Sequence, residues 1–153
     1  MKDFFAPVYE LLIGLYGQDL GEHLYGLNPN NSGDFDAASL YASVGFMMVL
    51  SSILLPILYY KIIDSSKLDK TFNWILVLLV HIFINFFVGA YLPYLDLQTG
   101  KMAQAVMQVI DTSNCILFGL ANAIYALLLF CIISLLAMRF STNCRNTPFK
   151  IWK

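Results

Sequence analysis

Three long stretches without charge are the feature of this sequence that most restricts its fold. Residues 37–60, 71–95 and 112–138 contain no Asp, Glu, Lys or Arg, and charged side chains border each of them. At 1.5 Å per helical residue the shortest stretch reaches about 36 Å, which exceeds the roughly 30 Å hydrocarbon core of a bilayer. A buried helix of a soluble bundle keeps a charged face towards water, and these stretches have none. The sequence therefore predicts three transmembrane helices at these positions.

The composition agrees with a membrane protein. Charged residues make up 12% of the chain, about half of their usual share, and hydrophobic residues make up 59%. The net charge of −1 argues against nucleic-acid binding, which requires a strongly basic surface. We expect an all-α integral membrane protein with a single membrane domain, three transmembrane helices, an N-terminal amphipathic helix and a short external interfacial helix.

Lys and Arg side chains indicate the orientation of the chain in the membrane. The connection 61–70 holds three of them and the tail 139–153 holds four, whereas the segments 1–36 and 96–111 hold one each. Because positive charge accumulates on the cytoplasmic side, we expect the first two regions there. The N-terminus is then outside and the C-terminus is cytoplasmic, and the membrane that we predict is a bacterial inner membrane.

The segment 1–36 is expected to precede the first span as a helix and a loop. Apolar residues recur at helical spacing from Phe4 to Tyr16, which predicts an amphipathic helix capped by Asp3. This helix either lies on the membrane surface or packs against the spans. From Gly17 to Asp36 the chain is rich in Gly, Asn and Pro, which indicates an external loop.

The connection 96–111 carries a polar stripe at helical spacing, formed by Lys101, Gln104, Gln108 and Asp111, with apolar residues on the opposite side. Two arrangements fit this pattern. Either a short interfacial helix precedes the third span, or the third helix projects from the membrane with at most a slight break and a new cap near Asp111. The apolar side then needs a cover, and the candidates are another subunit and the N-terminal helix.

Polar side chains inside the predicted spans form the candidate site. Asn73, His81 and Asn85 share roughly one face of the second helix, and Asn122 lies on the third. Such groups face protein or water and not lipid, so they either line a pore or proton relay or bond between helices. The bonding role is the commoner one, at ~0.6–2 kcal/mol per bond. A bond from Asn122 to Asn85 or His81 would fix the register of the two helices.

Small residues at a spacing of about one turn predict where helices approach each other closely. The first helix carries Ala38, Ala42 and Gly45, and the third carries Gly119 and Ala123. Small side chains let two helix backbones come close in a membrane, where packing replaces the hydrophobic effect.

The tail 139–153 is predicted to contact anionic headgroups of the inner leaflet, at about 1 kcal/mol per well-placed cation. A plain stop-transfer signal is the alternative and explains the same charges. The cations of the tail are Arg139, Arg145, Lys150 and Lys153.

The sequence offers no catalytic constellation, so we expect no enzyme activity, no cofactor and no metal. Cys-x-x-Cys pairs, glycine-rich phosphate loops and paired carboxylates in the spans are missing from it. His23 lies beside Glu22 and near Asp19, a grouping more typical of a solvated loop than of a metal site. Two functions remain in view. One is a structural or assembly subunit of an oligomeric membrane complex, which is either a homo-oligomer or an assembly with other membrane subunits. The other is a small homo-oligomeric ion channel lined by the polar side chains of the spans.

Overall fold

The computed structural model describes residues 2–30, 34–65, 67–144 and 147, and within them the chain is all-α, without a strand. Seven α-helices occur in these residues. They are α1 (Lys2–Glu10), α2 (Ile13–Tyr16), α3 (Gln18–Tyr25), α4 (Leu40–Ile57), α5 (Thr71–Gln98), α6 (Gln104–Met107) and α7 (Thr112–Ala137). A π-helical segment, Leu58–Ile63, continues α4, and a 3₁₀ turn, Met138–Phe140, follows α7.

Three of these helices are long and apolar enough to span a membrane, which confirms the predicted fold class. With their extensions they cover Leu40–Ile63, Thr71–Gln98 and Thr112–Phe140. The first begins later than predicted, because the Ser39 hydroxyl accepts a hydrogen bond from the Ala42 N–H (3.4 Å) and so caps a helix that starts at Leu40.

The second span also ends later than the neutral stretch suggests. Pro93 lies inside α5, and the helix continues beyond it to Gln98. It ends where Gly100 adopts a left-handed φ of +68° and the Lys101 N–H bonds the Asp96 carbonyl (3.0 Å). This is the Schellman geometry, in which glycine avoids the steric cost that a Cβ would meet.

The chain divides into two compact units. Unit 1 comprises Met1–Met47 and Asn85–Ala123, and unit 2 comprises Met48–Ile84 and Ile124–Lys153. The residues of each long helix are therefore shared between the two units, which are described separately below.

The N-terminal part of unit 1 contains three short helices in place of the predicted helix and loop. The helix expected from Phe4 to Tyr16 breaks between α1 and α2, and Gly17, at φ +91°, separates α2 from α3. The expectation of a loop from Gly17 onwards is thus wrong for Gln18–Tyr25. Leu20 and Leu24 explain the difference, because these side chains, one turn apart, are both fully buried.

The connection after α5 also belongs to unit 1. Of the two arrangements left open by its sequence, the structure has the short helix that precedes the third span. The helix α6 is short, and α7 restarts with a reciprocal cap: the Asp111 Oδ1 accepts from the Ser113 N–H (2.8 Å), and the Asn114 Oδ1 accepts from the Asp111 N–H (3.0 Å). The apolar side of this connection is buried at Met102 and Val106, and α3 packs against α6. The cover of this side therefore comes at least in part from the N-terminal segment.

Unit 2 has a core of two tyrosines and a cysteine. Tyr59, Tyr60 and Cys144 are buried there, and Trp74 and Val77 of α5 pack against them, as do Leu68, Ala137 and Met138. The rings of Tyr59 and Tyr60 meet edge to face with their centres 4.9 Å apart, a favoured aromatic geometry.

Candidate functional site

A buried cluster in unit 1 joins three helices through one asparagine. The Tyr9 hydroxyl of α1 donates to the Oδ1 of Asn122 on α7 (2.6 Å), and the Nδ2 of Asn122 donates to the backbone carbonyl of Asn85 on α5 (2.7 Å). The side chains of Tyr9 and Asn122 are fully buried. Two of the predicted site residues, Asn85 and Asn122, are thus brought together, but the bond goes to the Asn85 backbone and not to its side chain. We call Tyr9, Asn85 and Asn122 the Tyr9–Asn122 cluster.

Two further buried tyrosines extend this cluster. The Tyr16 hydroxyl donates to the Tyr9 carbonyl (3.0 Å) and lies 2.9 Å from the Tyr41 hydroxyl. Because the single Tyr16 proton is used on Tyr9, Tyr41 donates to Tyr16. The Tyr9 and Tyr41 rings stack at 5.3 Å, and Phe118 packs against all three tyrosines. The aromatic rings fill the space around the hydrogen bonds and keep water away from them.

Glycines let α5 and α7 approach closely beside this cluster. A Cβ added to Gly119 would lie 2.7 Å from the Phe86 carbonyl oxygen, and one added to Gly89 would lie 3.1 Å from the Gly119 Cα. Ala123, the other small residue predicted on α7, is buried as well. The close approach is what allows the Asn122 amide to reach a backbone carbonyl of α5.

The small residues of the first span have other neighbours than the glycine of α7, which packs against α5. Gly45 is buried against the Phe5 ring of α1, into which a Cβ would run. Ala42 is half-buried, whereas Ala38 is exposed and precedes the start of α4. The expected stripe of three helical positions is therefore wrong at Ala38, because the cap at Ser39 begins the helix after it.

A second polar pair lies in unit 2. His81 of α5 is fully buried, and its Nε2 is 3.1 Å from the hydroxyl of Ser52 on α4. The ring also bonds the backbone of Ala126 on α7 and lies 5.1 Å from the ring of Phe130. His81 is thus held by groups on both neighbouring spans, as an interhelical bonding role requires.

A chain of hydrogen bonds close to the unit 2 core was not predicted. The Trp74 indole donates to the Ser134 hydroxyl (2.7 Å), which is 3.0 Å from the Tyr60 hydroxyl, and this in turn donates to the Thr147 carbonyl (2.9 Å). The order of donors is fixed, because an indole only donates and a carbonyl only accepts. Asn73 takes no part in it, since its amide donates to the Lys67 carbonyl (3.1 Å) in the preceding connection.

Asp64, at the end of the π-helical segment, holds the chain that follows α7. Its carboxylate accepts from the hydroxyls of Ser141 and Thr142 (both 2.6 Å) and from the N–H groups of Thr142, Asn143 and Cys144. The Ser141 hydroxyl and then the Thr142 groups lower the pKa of Asp64, because each bond favours the ionised form. Arg139, one of the four predicted lipid-contacting cations, is exposed nearby in sequence, whereas Arg145, Lys150 and Lys153 lie outside the described residues.

His23 pairs with a partner that the sequence does not suggest. Its Nε2 is 3.3 Å from the Asp96 carboxylate near the end of α5, within unit 1. Burial lowers the pKa of His23, and the charge and hydrogen bond of Asp96 offset part of this effect. In the part of the chain that the structure describes, no three His, Cys, Asp or Glu side chains are grouped as metal ligands would be.

Comparison with known proteins adds no relative from which a role could be carried over. No protein family matches the chain, no curated protein is significantly similar to it, and no solved structure matches its fold.

Proposed function

We propose that this protein is a structural or assembly subunit of an oligomeric membrane complex. The observation that carries the proposal is the direction of the polar side chains in the spans. His81, Asn85 and Asn122 are each no more than 1% exposed, and the bonds of His81 and Asn122 go to groups of this chain. Large apolar residues form the outward surface of the spans, and such residues pack against lipid and other membrane helices.

The helix α5 is the least buried of the three spans. Only 17% of its most apolar 18 residues are buried, against 33% and 39% in the other two spans. Phe72, Phe83 and Phe87 are 58–67% exposed along it. Large rigid rings bring contact area to a protein interface at a small loss of side-chain entropy, so we propose that neighbouring subunits bind along α5.

The alternative, a homo-oligomeric channel, requires the opposite placement. A lumen between copies of a chain needs polar groups on the outside of each copy, where ions and water pass. His81, Asn85 and Asn122 are instead buried in the single chain. This placement favours the packing function over the channel.

The membrane and orientation of the chain are part of the same proposal. We place the protein in a bacterial inner membrane, with the N-terminus outside and the C-terminus in the cytoplasm. The support is the concentration of seven of nine Lys and Arg residues in 61–70 and 139–153. The exposed Arg139 is then available to anionic headgroups.

The experiment is to extract the tagged protein from its own membrane in lipid nanodiscs and identify the chains retained. Wild-type protein should retain a second copy or other membrane subunits, and the double variant Phe83→Ala, Phe87→Ala should lose them. The matched control is Phe46→Ala, which truncates an aromatic ring of similar exposure on α4 and should retain them. Retention of the same chains by the α5 variant, or of none by the wild type, would refute the proposal.

A further inference from the structure

The N-terminal helices carry two sets of large apolar side chains, one buried and one exposed. Phe5, Tyr9 and Tyr16 are buried in unit 1, whereas Phe4, Val8, Leu11 and Leu15 are exposed by 71%, 37%, 80% and 41%. Phe4 and Val8 lie one turn apart on α1, Leu11 lies in the turn that follows and Leu15 lies on α2, and we call these four exposed residues the outer stripe. In water such a stripe would cost free energy in proportion to its apolar area.

Contacts with α4 place α1 beside the spans. The Phe5 ring covers Gly45, and the Tyr9 ring stacks on Tyr41, one turn earlier in α4. One turn forwards in α1 thus corresponds to one turn backwards in α4. The helix α1 therefore runs along the first turns of α4 in the opposite direction, and does not lie across its end.

The Tyr9–Asn122 bond shows how far this part of the chain lies from the charged ends of the spans. Asn122 follows Asp111, the charged residue before α7, by 11 residues, and Asn85 precedes Asp96 by the same number. At 1.5 Å per residue both distances are about 16 Å, and the hydrocarbon core of one leaflet is only about 15 Å thick. The Tyr9 hydroxyl is thus beside the apolar part of α5 and α7.

We infer that the outer stripe contacts lipid acyl chains, in the leaflet that holds the starts of α4 and α7. Phe46 and Met47 of α4, in the same unit, are 56% and 52% exposed, so the lipid-facing apolar surface of the spans extends to the level of α1. Glu10 is compatible with this position. It is exposed and lines an open cavity of about 470 Å³ together with Gln18 and Glu22, and no residue of the outer stripe lines this cavity. The partner of the outer stripe is thus the bilayer, and this inference does not depend on the proposed subunit function.

Photocrosslinking of the full-length protein in phospholipid liposomes tests the inference. The residue p-benzoylphenylalanine abstracts hydrogen from nearby C–H bonds, and it replaces Phe4 in one variant and Leu11 in another. Two phenylalanines provide matched controls: Phe46, which is 56% exposed on α4, and Phe35, which is 44% exposed outside the spans and lines the open cavity. Mass spectrometry then identifies what each position has captured.

The expected result is a phospholipid adduct at positions 4 and 11 in a yield similar to that at Phe46. It should exceed the yield at Phe35 by roughly tenfold, since acyl chains surround an inserted face and not a wet cavity. A crosslink from positions 4 and 11 to a second protein chain would show that protein covers the stripe. A yield as low as that at Phe35 would show that water covers it, and either result overturns the inference.

Discussion

Replacing Tyr9 with Phe tests whether the Tyr9–Asn122 cluster stabilises the fold. The substitution removes one hydroxyl and keeps the ring, so the stacking on Tyr41 and the contact with Phe118 remain. What is lost is the donor at 2.6 Å from the Asn122 Oδ1, an atom on a fully buried side chain. The change therefore removes this hydrogen bond and keeps the ring contacts.

The expected cost follows from the burial of the orphaned oxygen. Leaving a buried acceptor without its donor costs about 1–3 kcal/mol in soluble proteins. Hydrogen bonds between membrane helices average only about 0.6 kcal/mol, with a maximum near 1.7 kcal/mol, because the unfolded chain in the membrane also finds partners. We expect Tyr9→Phe to lower the free energy of unfolding by about 1–1.5 kcal/mol, in the range where these two estimates overlap.

A double-mutant cycle with Asn122→Ala isolates the bond between the two side chains. The asparagine variant also loses the bond to the Asn85 carbonyl, so it should cost more than Tyr9→Phe alone. The coupling energy between the two changes should be about 1 kcal/mol, as for residues in direct contact. Tyr25→Phe is the control, because Tyr25 is only half-buried and lies outside the cluster, so its cost should be below about 0.5 kcal/mol.

Reversible unfolding in mixed micelles by sodium dodecyl sulfate, followed by circular dichroism, provides the free energies. The reasoning is refuted if Tyr9→Phe behaves like Tyr25→Phe, or if the cycle gives no coupling. Either result would mean that the Asn122 oxygen finds another donor without cost.

Three further predictions concern other parts of the chain. Burial lowers the pKa of His23 below 6.5, so near that pH the unfolded chain binds more protons at this residue than the folded chain does. The free energy of unfolding should therefore fall as the pH drops below about 6.5. His23→Gln should flatten this dependence in unfolding curves recorded between about pH 7.5 and 5.5. Gly119→Ala should cost about 1–3 kcal/mol, because the new Cβ meets the Phe86 carbonyl, whereas Gly14→Ala, with nothing within 4 Å, should cost less than about 0.5 kcal/mol by the same unfolding assay. Asp64→Ala should speed limited proteolysis of the chain after α7, because the carboxylate that bonds this segment is lost. In the wild type the same release should require a pH below the usual titration range of aspartate, because the hydrogen bonds lower the pKa of Asp64 and its contribution is lost as the pH falls through the lowered pKa.

The spans could be predicted from the sequence because their signal is local and strong. The absence of charge over more than 20 residues depends on no contact elsewhere in the chain, and a bilayer leaves helices as nearly the only solution. The cap at Asp111 was visible for the same reason, since it lies within four residues. Helix ends that depend on glycine geometry, such as the end of α5 at Gly100, were less visible, because the neutral stretch stops at residue 95 before the helix does.

The site was predictable in its residue types but not in its pairs. Polar side chains in neutral stretches must find partners, which identified His81, Asn85 and Asn122. Their partners Ser52 and Tyr9 are 29 and 113 residues away in sequence, and only the packing of the helices brings them close. The helix α3 was not predicted because Gly21 within it and Gly17 and Gly26 at its two ends resemble a loop, whereas its stability comes from the burial of Leu20 and Leu24.

Ion flux through liposomes that contain the purified wild-type protein tests the central claim most directly. If the polar side chains of the spans serve only to hold the helices together, the flux equals that of protein-free liposomes over the pH range in which histidine titrates. A flux above that background which His81→Leu abolishes would contradict the account, because the histidine would then line a path for ions and not a contact between helices.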